Sequence, residues 1–173
     1  MKSDDRRTAL IDLLADHVLA QGLSASSLRP LAKAAGVSDR MLLYYFKDKA
    51  EILSEVLARL AERLTGHLTA QTAQQQVPLE SLRRNLAAIL FAADLWPYMR
   101  LWLEVASLSA RGDAIYRTVG EQLGRGFLSW GAAQLDCPDE TARARDAAKL
   151  LVSIEGMLFL KSIGLDDVCD AAL

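Results

Sequence analysis

Between residues 27 and 49 the chain carries Arg29, Lys33, Arg40, Lys47 and Lys49 against only Asp39 and Asp48. Tyr44 and Tyr45 are interleaved with the cations. A basic row broken by tyrosines suits a surface that meets phosphates, because the cations displace counterions and the phenols add hydrogen bonds. An ordinary solvated helix face would carry Glu, Lys and Gln. Here the outward positions read Asp39, Arg40, Met41, Leu43 and Tyr44.

Catalysis has no comparable grouping. The only histidines, His17 and His67, are far apart, and GxSxG, HExxH and CxxC are all missing. Neither GxGxxG nor a Walker pattern marks a nucleotide loop. Cys137 and Cys169 stand alone without metal-ligand spacing, so no metal or cofactor is expected. Glu104 and Glu155 interrupt apolar helical stretches, as ligand-facing carboxylates, salt-bridged structural groups or exposed side chains. An enzyme is not expected.

The basic row needs two short helices and a corner to hold it. Ser27 is placed to cap the first, and Pro30 falls in its opening turn, where the missing N–H costs nothing. Leu31, Ala32 and Ala35 repeat at helical spacing. Gly36 then supplies the positive φ at which the helix stops. Val37 fills the corner, Ser38 caps the second helix, and Leu42, Tyr45 and Phe46 point back towards Leu31 and Ala35. This layout is a helix-turn-helix, with its recognition helix at about 38–45.

At these residues the chain resembles the TetR family of transcriptional regulators. The matching pieces are Leu31-Ala32, Ala35-Gly36-Val37-Ser38, Leu42, Tyr44-Tyr45-Phe46 and Lys49, with Gly22-Leu23 before them and Ile52-Leu53 after. The resemblance covers roughly the first third of the chain. It implies base reading by Arg29, Asp39, Arg40 and Met41, and phosphate contact by Ser27, Tyr44, Tyr45, Lys47 and Lys49. An arginine at 29 or 40 can pair with guanine N7 and O6. The chain departs from the family pattern at Leu43, which stands where a phosphate-binding tyrosine is usual. Tyr45 replaces a common histidine, and Arg40 a frequent glycine.

Helices are expected throughout: a first one from a Ser3 cap to Gly22, then a fourth from near Lys47 to about Leu64. After a polar connection around Gln74-Gln75-Gln76, further helices cover about Pro78 to Ala93, Trp96 to Ala110, Asp113 (as cap) to Leu135, and Pro138 (with Asp139 as cap) to Gly164. The expected fold is therefore all-α. Residues 1–64 form a three-helix DNA-binding domain, which the long fourth helix joins to a helical ligand-binding and dimerisation domain at 65–173. Gly120, Gly124 and Gly131 run beside an apolar stripe and cost helix propensity, roughly 1 kcal/mol each, which close approach of another helix would offset. Leu150 to Leu160 is apolar almost all round, so Leu151 and Leu158 are candidates, with those glycines, for a subunit interface. Deep burial within one subunit is the alternative.

Trp96, Met99, Trp102, Phe127, Trp130 and Phe159 supply large apolar surface, mostly as core. The resemblance implies that such helices enclose an effector pocket, with Glu104 or Glu155 as a polar anchor. It further implies a homodimer on a near-palindromic double-stranded operator, controlled by an unknown small molecule. A dimeric interaction scaffold or ligand carrier that keeps the fold without specific DNA binding is the other reading.

Half of the 173 residues are hydrophobic and four are proline, a mix that favours helices. No apolar run reaches membrane-spanning length and the N-terminus is charged, so a cytoplasmic protein with no membrane partner is expected. The formal charge is −2, unusual for a DNA binder. Residues 1–63 hold ten Lys/Arg against nine Asp/Glu, and the remainder ten against thirteen. The positive field is local to residues 27–49.

Overall fold

The computed structural model describes residues 3–72 and 75–173; the side chains of Ser3 and Asp4 are not among those described. The expected Ser3 cap and Gln74 therefore lie outside the described residues. The order is α1 (Ser3–Gln21), a 3-10 turn (Leu23–Ala25), α2 (Leu28–Ala34), α3 (Asp39–Tyr45), α4 (Lys49–Gln71) and α5 (Leu79–Leu90). It continues with α6 (Trp96–Ala110), α7 (Ala114–Gln134), α8 (Glu140–Ser162) and α9 (Asp166–Ala171). Among the described residues the fold is all helical apart from one isolated parallel bridge, Val77 with Leu135.

Two compact units divide the chain. The first holds residues up to Arg63 together with Glu104–Gly120; the second holds Leu64–Leu103 and Glu121–Leu173. A single cut near residue 64 was expected, so the return of residues 104–120 to the first unit is a difference. Its cause lies in α6, where Val105 is buried and Glu104 bonds to the start of the 3-10 turn.

In the first unit Leu10, Ile11, Leu14, Ala15 and Val18 bury one face of α1, and Ile52, Val56 and Leu60 bury one face of α4. Around this core, ion pairs tie α1 to α4: Arg59 and Arg63 both reach Asp12, and Arg63 also reaches Asp16. Arg7 of α1 turns to Glu51 and Glu55 of α4.

α4 begins two residues later than expected and ends well beyond Leu64. Asp48 caps it, its Oδ1 accepting from the Glu51 N–H at 2.9 Å, while Glu51 accepts from the Lys47 N–H. Leu64 and Leu68 prolong its apolar stripe, and Gly66 faces open space. α5 is shorter than expected, with Pro78 as its cap residue. The Asp113 and Asp139 caps are present. Asp113 accepts from the Ile115 N–H and Asp139 from the Ala142 N–H at 2.7 Å.

The second unit's core joins Leu68, Leu82, Leu86, Leu90, Leu95, Met99, Leu135, Leu150, Met157 and Leu158. Gly131 is where α7 and α8 approach, since a Cβ there would meet Leu150 Cδ2 at 3.3 Å. Both cysteines are free, and Cys169 is buried. No helix of the described residues is long and apolar enough to cross a membrane.

Candidate nucleic-acid interface

The corner between α2 and α3 is built on its buried side first. Leu31, Ala32 and Leu42 are sealed, Phe46 is 1% exposed, and Ala35 lies against them. Gly36 takes φ +67, and its N–H donates to the Lys33 carbonyl. A side chain there would have open space, so glycine is needed for the backbone angle alone. Ser38 caps α3 by accepting from the Met41 N–H at 3.2 Å. Ser27 occupies the cap position of α2 but makes no side-chain cap hydrogen bond, so its hydroxyl is exposed and not spent on the helix. Below it Ser26 is fully buried, its hydroxyl donating to the Gly22 carbonyl at 3.0 Å. No sequence signal separated these two neighbouring serines.

Once α3's inner residues are buried, the helical period sends the others outward. Tyr44 is 78% exposed, Met41 46% and Leu43 43%. Asp39 and Arg40 are exposed as well. Tyr45 is half-buried, and its ring meets Tyr44 edge to face at 5.3 Å. Arg29, Lys33, Lys47 and Lys49 are all exposed, and none of them enters an ion pair among the described residues. Asp39 sits in the first turn of α3, where the helix dipole favours an acid. An open groove lined by His17, Gln21, Ala25, Arg29, Pro30, Lys33 and Ala34 runs beside α2. Unpaired cations keep their attraction for an external anion. The surface can therefore accept phosphates while presenting an arginine fork and apolar groups to base edges.

The residues expected around an effector divide between the units. Met99 is buried in the second, and Trp96, Trp102, Phe127 and Trp130 are half-buried against its core. Trp102 Nε1 donates to Glu155 Oε2 at 2.8 Å, and Trp130 Nε1 to Thr69 Oγ1 at 3.1 Å. Burial pushes the Glu155 carboxyl up, opposed by the indole hydrogen bond. Glu104 is not with them. It belongs to the first unit and accepts from the Leu23 N–H at 2.7 Å, because that peptide has no helical partner at the 3-10 turn. Phe159 is corrected too: it is 57% exposed, since Ile154, Met157 and Leu158 define the inner face of α8.

Among the interface candidates Leu158 is 1% exposed inside its own unit, so it presents nothing to a partner. Leu151 is half-buried. Gly120 faces Val105 within the first unit, Gly131 faces Leu150, and Gly124 meets nothing within 4 Å. The large apolar residues that α8 turns outward are Val152, 72% exposed, and Phe159. Among the described residues no group of three His, Cys, Asp or Glu is placed to hold a metal.

Residues 14–56 match the family model described as "Bacterial regulatory proteins, tetR family". The chain is 31% identical over 106 residues to the HTH-type transcriptional regulator AcrR of Shigella flexneri, covering 60% of this chain and 49% of that one. It is 31% identical over 80 residues to the HTH-type transcriptional repressor KstR2 of Rhodococcus jostii, covering 44% and 39% respectively. The matched part thus spans about half or less of those relatives. The fold is shared with a transcriptional regulator from Rhodococcus sp. Rha1 at a TM-score of 0.67 and 22% identity, over 97% of this chain and 87% of that one.

Proposed function

We propose that this chain, whose residues 14–56 match the model of the TetR family of bacterial regulatory proteins, is a ligand-responsive transcriptional repressor working as a homodimer. The observation that carries the proposal is the outward row of α3. Arg40, Met41, Leu43 and Tyr44 are exposed while Leu42 and Phe46 hold the helix from behind. In this reading α3 enters the major groove, Arg29, Asp39, Arg40 and Met41 meet bases, and Ser27, Tyr44, Tyr45, Lys47 and Lys49 meet phosphates.

Dimerisation uses the outward face of α8, where Val152 and Phe159 leave apolar surface uncovered. Two recognition helices then reach half-sites about 34–36 Å apart on a near-palindromic operator. A small hydrophobic or amphipathic effector binds among the half-buried aromatic residues of the second unit. α4 contributes Ile52 and Val56 to one unit and Leu64 and Leu68 to the other. It is the natural carrier of the effector's preference between conformations. KstR2 is named a repressor, and repression relieved by the effector is the direction proposed.

The test is enrichment of duplexes from a random pool, followed by a salt titration on the enriched and unenriched DNA. A repressor of this kind enriches a near-palindrome and loses affinity steeply as salt rises. Equal affinity for enriched and random duplexes, as an interaction scaffold or carrier would give, overturns the proposal.

A further inference from the structure

The second unit contains a carboxylate without a counter-charge. Glu155 lies in the middle of α8, half-buried, and its one hydrogen bond comes from the Trp102 indole. The ion pairs of this unit go elsewhere: Arg83 to Glu80, Arg125 to Glu121, Arg143 to Glu140, Lys149 and Arg145 to Asp146, and Lys161 to Asp166. Among the described residues none reaches Glu155. An acid held in apolar surroundings with a single neutral donor is costly, and such a group is usually neutralised or paired.

Its neighbours have a definite character. Trp102 is half-buried on α6, and Tyr98 stands one turn before it on the same helix. An aromatic ring and a carboxylate without a counter-charge together select one ligand chemistry. The Trp102 ring quadrupole attracts a cation, and the acid supplies its counter-charge. A neutral hydrophobe would gain from the ring and leave the acid unpaired; an anion would be repelled. Burial raising the carboxyl's pKa agrees with a charge that lacks a partner.

We propose that the effector is an organic cation, an alkylated ammonium bound by Glu155 and Trp102 between α6 and α8. This deepens the ligand-responsive reading above and rests on it.

The experiment titrates the full chain with choline and with benzyltrimethylammonium, using tryptophan fluorescence and calorimetry. The neutral isostere 3,3-dimethylbutan-1-ol serves as the control for charge. Both cations are expected to bind saturably, and the neutral alcohol about tenfold or more weaker than choline. Glu155→Gln keeps the shape and an acceptor for the indole, and it should lose about tenfold or more in choline affinity and with it the preference over the alcohol. Trp102→Phe keeps a ring and removes the donor, so it should retain that preference. Failure of the wild type to bind either cation overturns the proposal. Equal affinity for choline and the alcohol does so too, as does a Glu155→Gln variant that binds choline like the wild type. DNA binding is measured on the same samples without any cation added. Its loss there with cation binding intact overturns the regulator reading, whereas specific DNA binding with no cation response overturns this one alone.

Discussion

The Arg7 guanidinium lies over the ring of Phe46, 4.7 Å from its centroid. From that seat Nε donates to the Tyr45 carbonyl at 3.3 Å, and the fork pairs with Glu51 and Glu55 of α4. One side chain of α1 thereby holds the last carbonyl of the recognition helix, the residue that follows it and the helix after that. Arg7→Ala should destabilise the first unit by about 1–2 kcal/mol, through the lost hydrogen bonds and the carboxylates left facing each other. Arg7→Lys should recover less than half, since an ammonium cannot fork. Chemical denaturation of both variants measures the difference.

Two positive-φ glycines separate backbone strain from steric contact. Gly36 has open space around it, so Gly36→Ala meets only the cost of its angle, about 1 kcal/mol. Gly22, at φ +78, would also place a Cβ 2.7 Å from the Glu104 carboxylate. Displacing that carboxylate strips the Leu23 N–H of its acceptor. Gly22→Ala should therefore cost more than Gly36→Ala, by about 1–3 kcal/mol. In the Glu104→Ala background the difference should shrink, because the obstacle and the hydrogen bond are already gone. A double-mutant cycle on melting temperature decides it.

Two acids carry opposite pH signatures. Hydrogen bonds from Arg59 and Arg63 hold Asp12 below its ordinary 3.8. A depressed carboxyl adds stability above its unfolded pKa and loses it as pH falls through the folded value. Asp12→Asn should thus lower the melting temperature at neutral pH and matter progressively less as the pH falls below 3.8. Glu155 is displaced the other way from 4.5, by burial. A raised carboxyl costs nothing below its unfolded pKa, and the penalty grows as pH climbs through the folded value. Glu155→Gln should match the wild type near pH 4 and melt above it at about pH 7. Melting curves across pH test both signs.

On DNA, Arg40 and Lys49 should fail differently. Arg40→Ala should relax sequence preference at one position of each half-site, costing about 1–3 kcal/mol on the preferred duplex and little on random DNA. Lys49→Ala should weaken all duplexes alike and reduce the salt slope by about one. Fluorescence anisotropy at several salt concentrations distinguishes the two patterns.

The helix-turn-helix corner was legible in the sequence because local rules decide it. Pro30, Gly36 and Ser38 are turn and cap signals, and Leu42 and Phe46 follow a helical period that leaves Tyr44 outside. The all-helical fold was legible for the same reason, as were the Asp113 and Asp139 caps. Long-range pairing was not. Glu104 could have faced either unit, and only the Leu23 peptide, 81 residues earlier, explains its place. Arg7 gave no sign that Glu55, 48 residues away, would claim it. On α8 the near-uniform apolar run concealed which side turns inward. Leu158 was expected outside and Phe159 inside; each lies on the other side.

That exposed side of α8 supports the last prediction. Val152 and Phe159 are seven residues apart, two helical turns, so they share one face, and Gly156 between them is exposed without a side chain to fill the gap. A partner helix could come close at the glycine while the two larger groups interlock around it. Introducing like charges on such a face sets copy against copy, whereas a monomer would only gain solubility. Val152→Glu and Phe159→Glu together should shift the proposed dimer to monomer at micromolar concentration and leave helix content unchanged. The palindrome-binding affinity should fall steeply, because one recognition helix then has to hold the DNA without a tethered second. Sedimentation velocity and circular dichroism read assembly and fold separately. A wild-type monomer, or a double variant that stays dimeric, removes α8 from the interface.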